Sequence, residues 1–211
     1  METGWLGRPV DAIKTPGRAR MGNASKYVNS ILREAADSRP VLCDGRLDQP
    51  TDAMILGHNP GLASPPLDRR FWDGESCNKA AWLQAWNPGP ARKQIESKLL
   101  PCLAGLRVVE CNLSHYRSKH YNDLPAAQRV TDVFQVLIEI LRPKLVVAFG
   151  TQARSYFDPT PAHLGTFVEQ VVRGTPVRVF LGNHVIMGGA AFWRDGGYER
   201  LRRGAREICR P

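Results

Sequence analysis

Short apolar runs alternate along this chain with polar, loop-forming stretches. Four runs stand out, and each halts at a polar segment. Ala53-Met54-Ile55-Leu56 halts at Gly57-His58-Asn59-Pro60-Gly61, and Val108-Val109-Glu110-Cys111 at Asn112-Leu113-Ser114-His115. Leu145-Val146-Val147-Ala148-Phe149 halts at Gly150-Thr151-Gln152, and Val177-Arg178-Val179-Phe180-Leu181 at Gly182-Asn183-His184. Runs this apolar predict strands covered on both faces. Helical periods lie between them. Tyr27, Val28, Ile31, Leu32, Ala35 and Ala36 share one face, with Asn23 or Ser25 as cap and Ser38-Arg39-Pro40 as stop. Residues 79–86 and 91–100 predict helices split by Asn87-Pro88-Gly89-Pro90. The clearest helix spans 126–141, turning Val130, Val133, Phe134, Leu137, Ile138 and Leu141 inward before Pro143 breaks it. Short helices are predicted at 151–156 and 163–172, and a last one from about 190 to 203. Residues 57–78 and 113–125 read as long loops. Strands alternating with helices predict an α/β fold, a three-layer α/β/α sandwich around a central, mostly parallel four-stranded sheet.

That architecture has a functional consequence. Ligands of open parallel sheets bind just outside the carboxyl ends of the strands. If the four runs are parallel neighbours, the four polar segments converge on one crevice. With 211 residues, 43% of them hydrophobic, the chain suits one domain over 23–211, preceded by an aperiodic basic arm at 1–22.

Charge points to a partner. The formal net charge is +9, and the excess is clustered. Six Lys or Arg but only two acids precede Glu34, and Arg200-Leu201-Arg202-Arg203-Gly204-Ala205-Arg206 forms a second cluster. Such a balance favours a polyanion. Five scattered cysteines without a Cys-x-x-Cys pair argue against a disulfide framework, a zinc ribbon or an iron–sulfur ligand set, and fit a reducing compartment. No apolar run approaches the roughly 18 residues of a membrane span, and no signal pattern opens the chain. An intracellular protein without membrane, metal or cofactor is expected.

The segments after the strands carry the candidate chemistry. Gly57-His58-Asn59-Pro60-Gly61 lacks both the Gly-Lys-Ser/Thr ending of a phosphate loop and the Gly-x-Gly-x-x-Gly of a dinucleotide loop. Asn-Pro-Gly is also a common turn, so Asn59 is either a turn former or a functional group placed at a strand end. The second copy, Asn87-Pro88-Gly89, follows no strand and is expected to be only a turn. Phe71 and Trp72 either stack on a planar ligand or anchor their loop to the core. Asn112 either caps its loop or reads the edge of a base, its amide offering both donors and an acceptor. His115, Arg117, Lys119 and His120 form a basic segment suited to phosphates. His184 precedes the apolar tip Val185-Ile186-Met187 and Gly188-Gly189, a segment able to wedge between base steps.

Taken in order, these elements resemble the uracil-DNA glycosylase superfamily over about residues 50–200. Gly57 to Leu62 resembles the water-activating motif of its mismatch-specific uracil and thymine-DNA glycosylase branch. Phe71 falls where that branch has its base-stacking Phe, Asn112 matches the base-reading Asn, and His184 stands where the superfamily has the His of a His-Pro-Ser loop. The resemblance implies a uracil-DNA glycosylase that flips a nucleotide out of DNA, acting as a monomer without a cofactor. Asn59 would position the attacking water, with His58 assisting and His184 donating to the departing base. Gly57, Phe71 and Asn112 would hold the base. Ser64, Arg117 and Ile186 or Met187 would contact DNA. There are departures: Val185-Ile186 replaces Pro-Ser, Asn59 replaces the Asp of most highly active members, and His58 is unusual. Other readings are a non-enzymatic DNA-binding member, a glycosylase for hypoxanthine, xanthine or thymine opposite guanine, and a flavodoxin-like nucleotide binder.

Overall fold

All four apolar runs become strands, and they lie side by side in parallel. A computed structural model describes residues 23–129, 131–186 and 189–209. In chain order the strands are β1 (Leu42–Arg46), β2 (Ala53–Gly57), β3 (Ser76–Asn78), β4 (Val108–Asn112), β5 (Leu145–Phe149), β6 (Phe167–Val172) and β7 (Thr175–Gly182). They form one mixed sheet in the order β3-β1-β4-β2-β5-β7-β6. The central pairs β4–β2, β2–β5 and β5–β7 are parallel, and β1, β3 and β6 join antiparallel at the edges. The sheet thus has seven strands, not the four expected. The edge strands escaped notice for physical reasons. β1 is buried only over its first two residues, and β3 is three residues long. β6 was expected as part of a helix over 163–172. Instead Phe167–Val172 pairs with β7 through a two-residue turn, Arg173-Gly174, in which both residues have positive φ (49° and 79°). That turn geometry closes tight hairpins, and β-branched residues on either side favour the ladder over the helix.

Helices cover both faces: α1 (Ala24–Glu34), α2 (Lys79–Gln84), α3 (Pro90–Gln94), α4 (Asp132–Leu141), α5 (Thr151–Phe157), α6 (Ala190–Phe192) and α7 (Tyr198–Ile208). Side chains alternate across β2, so Met54 and Leu56 face one core while Ala53 and Ile55 face the other. On the first face Val28 of α1 and Phe134, Leu137 and Ile138 of α4 cover the sheet. On the second, Leu99, Trp193, Leu201 and Ala205 do so. The helix expected over 126–141 opens instead as a single 3₁₀ turn at Ala126–Gln128, and the α-helix starts only at Asp132. Val130 lies outside the described residues. The expected last helix is broken at Asp195 and Gly196, where Gly196 has φ +90°, so α7 is a separate segment reaching Ile208. The arm at 1–22 lies outside the described residues. No described helix is long and apolar enough to cross a membrane.

One polar cluster interrupts the second face. Glu110 of β4 is buried, and its carboxylate accepts from Arg92 (2.5 and 2.8 Å) and pairs with Lys79 (2.8 Å). Glu96 binds the same two cations from α3's continuation. Burial pushes the Glu110 carboxyl up, but Arg92 and Lys79 outweigh it and hold it at about 2.

Candidate active site

Parallel register brings the polar segments to one edge. Gly57 at the end of β2 pairs with Asn112 at the end of β4, and Phe149 at the end of β5 pairs with Gly182 of β7. The two loops beyond β2 and β4 are zipped together: Leu113 N–H donates to Gly57 O (2.9 Å), Ser114 N–H to His58 O (3.0 Å) and Ser118 N–H to Pro60 O (3.0 Å). On the other side Trp193 Nε1–H donates to Asn183 O (2.9 Å), tying the β7 loop down. A cavity of about 360 Å³ opens between them. That volume lies at the lower end of small-ligand pockets, roughly 300–1,000 Å³. Asn59, Asn112 and His184, distant in sequence, all line it. None of its described lining residues is acidic, whereas Arg39, Arg92 and Lys119 are among them.

Each polar group is held in a defined way. The Asn59 Nδ2 donates to Pro60 O (3.1 Å), Ser118 O (3.0 Å) and Ser118 Oγ (2.9 Å). Carbonyl oxygens only accept, so this amide has one possible orientation. Its Oδ1 is buried with no hydrogen-bond partner among the described residues. Asn112 is 8% exposed and lines the cavity beside Gly57. Gly57 permits this packing, because a Cβ there would stand 2.7 Å from Asn112 Oδ1 and 3.2 Å from Phe149 Cζ. His58 and His184 rings face each other at 5.8 Å. Burial first, then the neighbouring His184 and His120, lower the His58 pKa to about 4, so it is neutral at pH 7. His184 Nδ1 lies 3.3 Å from Ile186 O and 3.3 Å from Ile186 N. In the tautomer where Nδ1 accepts from that N–H, Nε2 carries the proton and is a donor. Gly150, with φ +87°, turns β5 into α5 directly behind both imidazoles, where a Cβ would be 3.5 Å from His184 Cδ2.

The expected residues divide into those the fold gathers and those it spends elsewhere. Gly57, His58, Asn59, Ser64, Asn112, His184 and Ile186 line the cavity. Ser64 is buried and its hydroxyl donates to Gly61 O (2.7 Å), closing the loop on itself. Met187 lies outside the described residues. Phe71 is a correction. It is 4% exposed and packs in the first core, away from the cavity lining, because the loop beyond Asn59 folds inward and ends in β3. Trp72 is anchored likewise, its Nε1–H donating to Asn29 Oδ1 (2.7 Å). Arg117 is a second correction. Its guanidinium binds Asp37 and Leu62 O, bracing the loop and leaving little of it for a phosphate. His115 is buried, and desolvation lowers its pKa to about 4, so it adds no charge to the basic segment at neutral pH. Lys119 and His120 remain exposed.

Several lining residues went unnoticed in the sequence, among them Phe149, Trp86, Asn87 and Arg39. Phe149 ends an apolar run and is indistinguishable there from a core residue, yet it takes the aromatic position in the cavity wall. Trp86 and Asn87 line the wall too, so the second Asn-Pro-Gly is a wall of the crevice and not a remote turn. Arg39 had no signal beyond its place before Pro40. Among the described residues no group of three or more His, Cys, Asp or Glu is placed to hold a metal ion. The chain matches no family model and no curated protein sequence.

Proposed function

We propose that this chain is a DNA glycosylase that hydrolyses the N-glycosidic bond of uracil after flipping the nucleotide into the strand-end cavity. The observation that carries the reading is the meeting of Asn59, Asn112 and His184, from the ends of β2, β4 and β7, in one acid-free cavity of about 360 Å³. A cavity of that size takes one base. The Asn112 amide can accept from uracil N3–H and donate to O4. Cytosine presents the reverse pattern, and a wrong bidentate match is worth about 1–3 kcal/mol. Phe149, not Phe71, supplies the aromatic wall against the base.

Bond cleavage leaves positive charge on the sugar and negative charge on the base. His184 Nε2–H donates to O2 of the departing uracil. Losing one such donor typically lowers the rate by about 10²–10³. The Asn59 Oδ1, whose nitrogen is fixed by Ser118, accepts from the water that attacks C1′. An amide cannot take that proton fully, so an advanced oxocarbenium-like sugar must make the water reactive. His58, neutral beside His184, adds no positive charge of its own to oppose that sugar. Lys119, exposed on the cavity lining, supplies cationic surface for phosphates, so affinity should fall with salt.

The test is base release from labelled oligonucleotides carrying uracil in single strands, opposite G and opposite A, read as an alkali-labile site. Release from at least one, abolished far more than DNA binding by Asn112→Asp, is expected. No release from any of the three sinks the enzyme reading, and retained binding would then assign recognition without catalysis.

A further inference from the structure

Among the described residues that line the cavity, Lys119 is the only lysine. Lys79, by contrast, is buried and paired with Glu110 and Glu96. Lys119 is exposed, and no acid among the described lining residues is there to hold its amine in an ion pair. Its backbone is fixed on both sides. Ser118 N–H donates to Pro60 O (3.0 Å), and Ser118 O accepts from Asn59 Nδ2 (3.0 Å). His120 N–H donates to Asp123 Oδ2 (3.1 Å), and His120 O accepts from the Ser118 hydroxyl. The peptide group joining Ser118 to Lys119 is therefore bonded to Asn59, the residue proposed to hold the water that attacks C1′. An anchored backbone with a flexible four-carbon stem leaves the amine free to move at the mouth of the cavity.

Base release changes the chemistry at C1′. It leaves a deoxyribose whose C1′ is a hemiacetal in equilibrium with an open-chain aldehyde. Lysine amines attack carbonyls of this kind and form Schiff bases. As an ammonium, Lys119 attracts phosphates of the bound strand; as a free amine, it is a nucleophile beside the new aldehyde.

We propose that Lys119 gives this chain a second activity, cleavage of the DNA strand at the abasic site through a Schiff base and β-elimination. The proposal rests on the reading of the cavity as the seat of an extruded nucleotide, and extends it from the base to the sugar. Lys119 Nζ adds to the C1′ aldehyde, and loss of one water leaves a protonated imine. The imine draws electrons from C2′, and a C2′ proton passes to solvent at the open mouth. The electron pair of that C–H bond forms a C2′–C3′ double bond as the C3′–O bond breaks. The phosphate esterified at C3′ departs with the electrons of the broken bond. Hydrolysis of the imine takes back one water and returns Lys119. It leaves an unsaturated aldehyde on one fragment and a 5′-phosphate on the other, so the sequence is redox-neutral.

The test uses one oligonucleotide with a chemically made abasic site and another with uracil, each incubated with the full chain. Sodium cyanoborohydride, which reduces the imine to a stable amine, is added to half of the samples. Protein is kept in excess over the affinity measured for each variant, so that weaker binding is not read as slower chemistry. Wild type should nick the abasic strand before any alkali treatment and form a covalent protein–DNA adduct that mass spectrometry maps to Lys119. Lys119→Arg keeps the charge but cannot form the Schiff base, and it should lower nicking and trapping at least tenfold, as should Lys119→Ala. No adduct from the wild type, an adduct mapped to another amine, or a fall of less than tenfold in Lys119→Arg overturns the proposal. The two readings fail separately. Base release from the uracil strand without trapping on the abasic strand supports the glycosylase and refutes the lyase. Trapping at Lys119 on the abasic strand without base release does the reverse.

Discussion

Gly57→Ala is the sharpest probe of the site, because one methyl group separates folding from function. The added Cβ would stand 2.7 Å from Asn112 Oδ1 and 3.2 Å from Phe149 Cζ. Carbon and oxygen cannot approach so closely, so something must move by about half an ångström. The Asn112 carboxamide is the softer neighbour, since it borders the open cavity. Phe149 is wedged in the second core and is the harder one. Overpacking typically destabilises by about 1–3 kcal/mol, and a yielding amide puts this case near 1 kcal/mol. For a chain this long that is a Tm shift of about 2–4 °C. Function should suffer more. Displacing a reacting geometry by about 1 Å can lower a rate about 10²-fold. Thermal melting and single-turnover uracil release on the same preparation would show a small Tm change with a loss of roughly 10–100-fold in rate. Release within twofold of wild type would refute the placement of Gly57 against Asn112. A Tm fall beyond about 10 °C would refute the claim that the Asn112 amide is free to yield.

Two further outcomes follow from buried charge. His58 and His115 are held near pH 4 in the fold, chiefly by burial, but return to about 6.5 when unfolded. Between those values the unfolded chain binds more protons, so stability is full above about pH 6.5 and declines as the pH falls towards 4. The loss is about 3 kcal/mol for well-buried His115 and less for the more exposed His58, read as falling urea midpoints; a midpoint unchanged from pH 7 to 4.5 contradicts it. Glu110→Gln removes the carboxylate shared by Arg92 and Lys79. Breaking a buried pair from one side typically costs about 3–5 kcal/mol, so Tm should fall by about 6–20 °C. A loss under 1 kcal/mol by calorimetry would mean that water already screens the cluster.

The amino-acid pattern by itself determined the centre of this molecule. Four apolar runs had to be strands buried on both faces, and their polar ends had to be where a ligand meets them. Local burial is enough to decide this, since a run such as Leu145–Phe149 has only one comfortable environment. For the same reason Gly57, Asn59, Asn112 and His184 could be named from chain order. The edge strands were not legible, because β1 and β3 are short and partly exposed, and β6 exists only through its pairing with β7. The remaining site residues depend on contacts between segments far apart in the chain. Phe71 and Phe149 are equally aromatic, yet only the path of the loop beyond Asn59 buries the first in the core and leaves the second on the cavity wall. Arg117 and Arg39 are equally basic. Asp37 and Leu62 O take up the first, while the second lies over Trp82 on the cavity wall, near Glu110. Which charge is neutralised is settled only by the tertiary structure, because pairing depends on distance through space, and distance along the chain carries no record of it.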